Sequence, residues 1–363
     1  MKLAYFCSST SWGGLEMNHL RDAKWMQERG HAVLVLCVTN SPLEKGAKER
    51  SLTVINVEKQ KKYYDFKKAK ILVQIMKENS VSHLIIRSNE DMSIMASIKH
   101  KLKSKIHTSY FMAMQLGVKK MNPMHTLRYK YLDLWVPPLN WLANQVREMT
   151  KFKNEIVVIP SALDLSEFKT EETKEDLRTR LDIPQQVLTF GIIGRFDIQK
   201  GQLLLLEAMK KCQSKNFNVV LLGEPTINEG NDYFEQMKKI IEQDEFKNRV
   251  FIKPYREDTL TFFKAIDWMV MATKAETFGM VTIESLASGT PVLGSNAGGT
   301  PELLENGKGG LLFDTQNAQS LAETLDEICA KNISYNSSDL MKMAEVYDHH
   351  LICSTVEKAL ELV

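Results

Sequence analysis

The sequence predicts an α/β protein with two consecutive parallel-sheet domains, and three observations support this prediction. The chain has 363 residues, which exceeds one ordinary core and suits two domains near the common size of ~150 residues. Short apolar runs alternate twice along the chain with amphipathic segments of helical length, as in βαβ units. The content is 44% hydrophobic and 25% charged, which excludes disordered and fibrous classes.

The predicted strands are apolar runs bounded by turn or helix signals. In the first half they are KLAYFC, HAVLVLCV, LTVINV, HLIIRS, KIHTSYF, LWVPP and EIVVIP. In the second half they are VLTFGIIG, NVVLLG, RVFIKP, DWMVMAT, TPVLGSN and GGLLF. The segments 15–29, 201–212 and 232–244 are predicted as helices between them.

A charged segment at 165–185 has few core residues and is predicted as the linker. The N-terminal domain is therefore expected over 1–165 and the C-terminal domain over 166–340, with a cleft between them. A last amphipathic segment, 341–363, is expected to pack back on the N-terminal domain.

The two halves differ in charge, although the whole chain carries a net charge of only +2. Residues 1–165 contain 26 Lys+Arg and 14 Asp+Glu, whereas the rest contains 21 and 31. Lysines cluster at Lys59, Lys61, Lys62, Lys67, Lys68 and Lys70, and again at Lys99, Lys101, Lys103 and Lys105. Such clusters favour an anionic membrane surface or form a solvated helix face. Nucleic acid is not expected, because aromatic residues do not alternate with the basic ones.

Location and metal use are expected from what the sequence lacks. No apolar run is long enough for a membrane span, and the first residues lack a secretory signal, so a cytoplasmic protein is expected. The five cysteines lie far apart without a CxxC pair, and we expect buried thiols, not disulfides or a zinc site.

The strongest functional pattern is KAETFGMVTIE, which follows the apolar run DWMVMAT. Glu276 is predicted at the carboxyl end of a strand and Glu284 two turns inside the next helix. The intervening residues Thr277, Phe278, Gly279 and Met280 are expected to form a helix N-terminus that favours anionic oxygens. One carboxylate can then bind sugar hydroxyls and the other ribose hydroxyls.

A second pattern, GRFDIQKG, follows the first strand of the second domain. It places Gly194, Arg195 and Lys200 on one loop at the edge where open parallel sheets bind ligands. A guanidinium fork and an ammonium group together can neutralise a departing diphosphate.

In these residues the chain resembles glycosyltransferase family 4, whose members share the GT-B fold of two Rossmann-like, doubly wound domains facing a central cleft. The similarity covers most of the chain and is strongest over 189–313. It implies that Arg195 and Lys200 hold the donor diphosphate, that Glu276 faces the transferred sugar, and that Glu284 faces the ribose.

The same resemblance implies roles for residues outside these two motifs. Gly13 and Gly14 match the family's N-terminal glycine loop near donor phosphates or acceptor, and Glu16 completes a G-G-x-E match. Gly223, Tyr255 and Arg256 occupy places that the family uses around the nucleotide and base.

The chain departs from the family at a histidine that contacts the transferred sugar. The usual V-H-T-x-H stretch appears as KIHTSYF, with His107 at the first histidine and Tyr110 at the second. The role is expected from His107, from Tyr110, or from nearby Gln115 or His125. The P-N-G-x-D junction appears as PSALD, without the family's asparagine and glycine.

The resemblance implies a retaining, metal-independent transfer of a hexosyl group from a UDP- or GDP-sugar to a glycan or lipid-linked acceptor. Cell-surface polysaccharide synthesis is the expected setting, with peripheral binding to the inner face of the membrane. The alternatives are another GT-B enzyme, such as a nucleotide-sugar epimerase, and a catalytically degenerate protein that binds sugar nucleotides. A nicotinamide-dependent oxidoreductase is not expected, because no G-x-G-x-x-G follows the first strand.

Overall fold

A computed structural model describes residues 1–61, 63–225 and 232–362. Lys62, a member of the first lysine cluster, lies outside these ranges. The chain divides into an N-terminal unit, Met1–Ser161 with the residues from His349 onward, and a C-terminal unit, Ala162–Asp348. Each unit contains one parallel sheet with flanking helices, so the predicted α/β class is confirmed.

The sheet of the N-terminal unit has seven strands in the order β3-β2-β1-β4-β5-β6-β7. Its strands are β1 (Lys2–Cys7), β2 (Ala32–Val38), β3 (Thr53–Val57), β4 (His83–Ile86), β5 (His107–Phe111), β6 (Leu134–Val136) and β7 (Glu155–Ile156). Its helices are α1 (Gly14–Glu28), α2 (Pro42–Glu49), α3 (Phe66–Glu78), α4 (Met92–Leu102), α5 (Pro123–Tyr129), α6 (Asn140–Met149) and α15 (His349–Ala359). The strand order reverses between β1 and β4, the switch point where such sheets bind ligands.

The strands of this unit are apolar along most of their length because helices cover both faces of the sheet. Trp135 is fully buried in β6, and its ring meets those of Tyr110 and Tyr129 edge-on at centroid distances of 5.3 and 5.0 Å. The C-terminal helix α15 also belongs to this unit, where Arg29 Nε donates to Glu357 Oε1 at 2.9 Å. In the described part of the chain, no helix combines the length and the apolar character that a bilayer crossing requires.

The sheet of the C-terminal unit has six strands in the order β10-β9-β8-β11-β12-β13. Its strands are β8 (Leu188–Ile193), β9 (Phe217–Leu222), β10 (Val250–Lys253), β11 (Trp268–Met271), β12 (Val292–Ser295) and β13 (Gly310–Phe313). Its helices are α7 (Lys174–Arg180), α8 (Gln202–Lys211), α9 (Asp232–Ile241), α10 (Thr259–Ala265), α11 (Met280–Ala287), α12 (Thr300–Leu303), α13 (Ala318–Lys331) and α14 (Ser337–Ala344). The order reverses between β8 and β11, which places the loops after these two strands side by side.

The segment 165–185 is folded into the C-terminal unit and is not the free linker that its charge predicts. It contains a 3-10 turn at Leu165–Phe168 and helix α7, and it buries Leu177 to 1% exposure. Arg178 is 4% exposed because it donates to Ala265 O at 2.8 Å and to Asp267 Oδ2 at 2.7 Å. Charged residues that pair with a neighbouring strand end are thus part of a core.

The unit boundaries also differ from the expected ones. The first division falls at 161/162, where 165/166 was expected, and the chain returns to the N-terminal unit at 349, where 341 was expected. Helix α14 accounts for the second difference, because it packs against α11 of the C-terminal unit. There, Ser337 Oγ donates to Gly289 O at 2.9 Å.

Candidate functional site

The loop after β8 carries the basic residues of GRFDIQKG and is held by backbone hydrogen bonds. The N–H of Gly194 donates to Leu222 O at 3.0 Å, and that of Phe196 donates to Glu224 O at 2.9 Å. These bonds tie the loop to the turn that follows β9. Side chains on the loop therefore leave from a well-defined backbone at the carboxyl edge of the sheet.

Two glycines allow this loop to approach its neighbours closely. Gly223 has φ +155°, and a Cβ there would lie 1.9 Å from Gly194 O. Gly201 has φ +75°, and a Cβ there would lie 2.2 Å from Ala272 O. Any larger residue at either position would have to displace backbone, so the shape of the loop depends on these glycines.

The basic loop and the acidic motif meet at this edge. Lys200 Nζ lies 3.5 Å from Glu276 Oε2, and both side chains are about one quarter exposed, 27% and 23%. Residues 76 apart in sequence meet because β8 and β11 are adjacent. Arg195 is 59% exposed and forms a 3.5 Å ion pair with Asp197 of the same loop. Within the described residues of the C-terminal unit, no three His, Cys, Asp or Glu side chains lie close enough to hold a metal ion.

Helix α11 begins at the acidic motif without a side-chain cap. Gly279 occupies its N-cap position with φ +95°, in the left-handed region, and no side chain accepts a hydrogen bond from the first turn. The N–H of Thr282 donates to Gly279 O at 2.9 Å, whereas those of Met280 and Val281 have no partner within the helix and favour an anionic group. The carbonyl of Glu276 is held in place because it accepts from the N–H of Gly299 at 2.9 Å.

The remaining motif residues differ in exposure. Phe278 is buried, and its ring meets Tyr347 edge-on at 6.0 Å, so it anchors the start of α11. Thr277, Met280 and Glu284 are partly buried on or next to the first two turns of that helix. The turn after β10 also lies at the carboxyl edge, with Tyr255 57% exposed and Arg256 3.4 Å from Asp258.

The predicted glycine loop of the N-terminal unit ends at helix α1. Gly13 is the N-cap of α1 in extended conformation, with φ −171°. A Cβ on Gly13 would lie 3.7 Å from Glu16 Oε2, so the Glu16 carboxylate is directed back to the start of its own helix. Glu16 is 6% exposed, and its charge suits the positive end of the helix. Gly14 has open space around it.

A buried carboxylate at the carboxyl edge of the N-terminal sheet was missed in the sequence. Asp91 is fully buried after β4, and its Oδ1 accepts from Ser8 Oγ and from Gln60 Nε2, both at 2.5 Å. Its Oδ2 accepts from the N–H of Ser8 at 3.3 Å. Burial raises the pKa of Asp91 to about 7. The only sequence signal was an acidic residue shortly after the apolar run HLII.

The family-histidine candidates are not brought to one place. His107 is the first residue of β5, paired in register with His83 at the amino edge of the sheet, and burial lowers its pKa. In a parallel sheet this edge is opposite to the one from which Gly13 follows β1. Tyr110 is 2% exposed and packs in the core. Gln115 is exposed after the carboxyl end of β5, and His125 contacts Arg128 within α5.

The positions of the predicted residues determine which of them can belong to one site. His107 and Tyr110 are used by the sheet and its core, because the strand register determines the edge or the layer at which each lies. Lys200 and Glu276 contact each other, and Arg195 leaves the same loop. Three of the predicted donor-site residues, Arg195, Lys200 and Glu276, therefore lie together at the carboxyl edge of the C-terminal sheet.

Comparison with known families and curated proteins finds similarity to glycosyltransferases. The family described as Glycosyl transferases group 1 matches residues 173–343. D-inositol 3-phosphate glycosyltransferase of Corynebacterium urealyticum is 29% identical over 206 residues, 54% of this chain and 47% of that protein. Lipopolysaccharide core biosynthesis glycosyltransferase LpsE of Rhizobium meliloti is 29% identical over 155 residues, 43% of each chain. The matched residues thus span less than half of these relatives' lengths.

Solved structures resemble the whole chain. A glycosyltransferase from Rickettsia africae has a TM-score of 0.86 at 19% identity, covering 99% of this chain and 98% of that one. Anabaena Alr3699/HepE in complex with UDP has a TM-score of 0.84 at 20% identity, with full coverage of both chains. At such identities the likeness establishes the fold. The chain therefore has the GT-B fold, and its residues 173–343 match the family described as Glycosyl transferases group 1.

Proposed function

We propose that this chain is a retaining glycosyltransferase that moves a hexosyl group from a UDP- or GDP-sugar to a glycan or lipid-linked acceptor. The observation that carries the proposal is the 3.5 Å contact between Lys200 and Glu276 beside the uncapped start of α11. This arrangement combines a cation for phosphate, a carboxylate for sugar hydroxyls and free N–H groups for anionic oxygens. Cell-surface polysaccharide synthesis is the proposed setting.

Different site residues bind different parts of the donor. Arg195 and Lys200 bind the diphosphate together with the N–H groups at the start of α11. Glu276 accepts hydrogen bonds from the hydroxyls of the transferred sugar, and Glu284 accepts from those of the ribose. In the free protein Lys200 pairs with Glu276. When the diphosphate binds, the ammonium group of Lys200 contacts both the Glu276 carboxylate and a phosphate oxygen. Lys200 thereby keeps the group that binds the sugar next to the group that binds the phosphate.

The proposed transfer retains configuration at the anomeric carbon. The sugar–phosphate bond breaks as the acceptor oxygen approaches from the same face, and the departing phosphate takes the acceptor proton. Negative charge grows on that phosphate, and Arg195, Lys200 and the α11 amides stabilise it more strongly in the transition state than in the bound donor. Because these groups supply the positive charge, we expect activity to persist in a metal chelator.

Donor identity is tested by a thermal-shift panel with UDP, GDP, ADP and their sugars. A ligand at ~100 times its Kd adds about 2.7 kcal/mol of apparent stability. We expect UDP or GDP to stabilise the protein, with UDP favoured, because Anabaena Alr3699/HepE was also solved with UDP-glucose. No stabilisation by any of the nucleotides at millimolar concentration would contradict a donor site.

Catalysis is tested with Glu276→Gln and with Glu207→Gln as the matched control. Glu207 is an exposed glutamate on α8. We expect release of nucleotide diphosphate from the donor to fall roughly a hundredfold in Glu276→Gln and to stay unchanged in the control. Proton NMR of the glycoside formed from an α-linked donor should show an α-linkage, and a β-linkage would refute retention.

Two other activities give different outcomes in the same assays. Turnover of the donor without acceptor, with epimerised sugar as product, would indicate a nucleotide-sugar epimerase. Nucleotide binding without turnover, unaffected by Glu276→Gln, would indicate a degenerate binding protein.

We also propose that the protein works in the cytoplasm at the inner face of a membrane, where a lipid-linked acceptor would be available. The excess of 26 Lys+Arg over 14 Asp+Glu in residues 1–165 supports this. Cell fractionation tests it. Recovery of the protein entirely in the high-speed supernatant at low ionic strength would contradict it.

A further inference from the structure

We propose that one outer face of the N-terminal unit, formed by α3, α4 and α5, docks on an anionic bilayer by inserting apolar side chains between lipids and placing lysines at lipid phosphates. This inference rests on the proposed function for its membrane partner and names the surface that binds it. We call this surface the docking face and define it by Phe66, Lys70, Lys101, Leu127, Lys130 and Lys153.

The docking face contains an apolar groove of about 660 Å³ among helices α3, α4 and α5. Ala69, Val73 and Ala96 lie along it, and Tyr64 and Phe66 stand at its side. Phe66 is 70% exposed, and its ring stacks on that of Tyr64 at 5.9 Å. An exposed aromatic pair beside an apolar groove favours contact with an apolar phase over contact with water.

A second groove, of about 750 Å³, lies on the other side of α5 and is lined in part by Phe152. Leu127 lines both grooves and is 48% exposed, so α5 forms a ridge between them. Met124, also on α5, is 46% exposed. Apolar side chains therefore extend continuously from Phe66 to the second groove.

The charge of the docking face has one sign. The described side chains that line the two grooves include Lys70, Lys101, Lys130, Lys151 and Lys153. Arg128 also lines the first groove, and no Asp or Glu occurs among the lining residues of either one. Near an anionic leaflet each such lysine strengthens binding by about fivefold.

Together, the exposed apolar side chains and the lysines of the docking face favour a bilayer over other binding partners. A second copy of this chain would bring its own lysines against these and be repelled. A free anion would satisfy the lysines but leave the exposed Phe66 and Leu127 in water. An anionic leaflet matches both, because phosphates lie at the level of the ammonium groups and acyl chains lie below them.

The experiment is co-sedimentation of the full chain with vesicles of phosphatidylcholine alone or mixed with phosphatidylglycerol. We expect binding to the mixed vesicles that weakens as salt is raised. The double variant F66E with L127E should weaken it by at least about tenfold. K70E with K101E should weaken it by more than about tenfold.

Matched controls separate the docking face from general effects. L351E changes a leucine that is 58% exposed on α15 of the same unit, and K45E with K211E makes the same change in net charge with exposed lysines elsewhere. Both should bind like the parent chain. Thermal stabilisation by UDP or GDP should be equal in all variants, so that loss of docking and loss of the donor site are distinguished.

Three results would overturn the proposal. The first is equal binding to vesicles with and without phosphatidylglycerol, or no binding to either. The second is binding that the control variants lose as strongly as F66E with L127E. The third is a dimer in light scattering that F66E with L127E dissociates, which would make the face an interface between copies of the chain.

Discussion

The charged groups at the carboxyl edges of the two sheets differ in their exposure to solvent. In the C-terminal unit, Arg195 is 59% exposed and Lys200 and Glu276 are about one quarter exposed. In the N-terminal unit, Asp91 is fully buried and accepts three hydrogen bonds, and Arg87 is 7% exposed and paired with Asp22. Both edges lie at a topological switch point, so the difference comes from the residues and not from the topology.

This difference in exposure distinguishes residues that can bind a ligand from residues that stabilise the fold. A charge left accessible on a fixed backbone can exchange water for a ligand oxygen at low cost. A buried charge with its hydrogen-bonding capacity already used stabilises the loops around it. The C-terminal edge therefore has the properties of a ligand site, and the charged cluster of the N-terminal edge has those of a structural clamp on the loop after β1.

The largest expected effect is loss of catalysis when the accessible charge is removed. We expect Lys200→Ala to lower kcat/KM for the donor by roughly a hundredfold to a thousandfold, because the departing diphosphate loses a positioned cation. Donor-dependent release of nucleotide diphosphate measures this. Lys211→Ala, on the exposed side of α8, is the control and should retain the parent rate. A Lys200→Ala rate within twofold of the parent would contradict the claim that the accessible charge at this edge takes part in catalysis.

The next largest effect concerns the glycines that shape the C-terminal edge. Gly223→Ala should lower the free energy of unfolding by about 3 kcal/mol, because the new Cβ meets Gly194 O and the residue keeps a positive φ. Gly14→Ala is the counterpart at the N-terminal edge, where nothing lies within 4 Å of the new Cβ. It should be neutral or stabilising by up to about 1 kcal/mol. Urea unfolding of both variants compares them, and equal losses would contradict the contrast.

A third prediction concerns the pH dependence contributed by Asp91. Its pKa is raised to about 7 in the fold, whereas an unfolded aspartate titrates near ~3.9. The folded protein therefore holds a proton that the unfolded chain releases between these values. This group's contribution to stability is greatest below pH ~4 and falls as pH rises to ~7, by a few kcal/mol in total.

Asp91→Asn should remove that slope. At low pH the variant should be less stable by about 1–3 kcal/mol, since the amide cannot accept all three bonds, and this deficit should shrink as pH rises to ~7. Urea midpoints at several pH values between 5 and 8 measure the slope in both proteins. Ser214, on the other unit, offers the control Ser214→Ala, which should keep the parent slope. Identical slopes in the parent and Asp91→Asn would show that another group titrates.

The smallest expected effect comes from changing the shape of a cation without removing it. Arg195→Lys keeps the positive charge but loses the planar fork that binds two phosphate oxygens at once. We expect KM for the donor to rise about tenfold with kcat little changed, because the retained positive charge still stabilises the departing phosphate. Steady-state kinetics measure both constants. A fall in kcat with unchanged KM would instead show that the guanidinium fork of Arg195 stabilises only the transition state.

The sequence predicts the strands and the loops that carry Lys200 and Glu276 well, because both depend on neighbours along the chain. Apolar runs mark buried parallel strands wherever helices cover both faces. Arg195 and Lys200 share one short loop, and that loop follows a predicted strand. Glu276 could be placed at the same edge because carboxyl ends of parallel strands coincide.

Other features required the tertiary structure. Asp91 meets Ser8 across 83 positions and Gln60 across 31, and no local pattern connects them. The edge position of His107 follows from its strand register, which places it beside His83. The charged segment 165–185 belongs to a core through Arg178 and Asp267, which are 89 positions apart.

By itself the sequence determined the α/β class and the positions of the GRFDIQKG and KAETFGMVTIE motifs after their strands, because local periodicity and turn residues encode them. Only the tertiary structure decided which charges stay accessible and which are buried, because burial depends on partners that are distant along the chain. Lys200 and Asp91 illustrate this. Both are ionisable residues that follow a strand, and long-range packing leaves one accessible and buries the other in a hydrogen-bonded cluster.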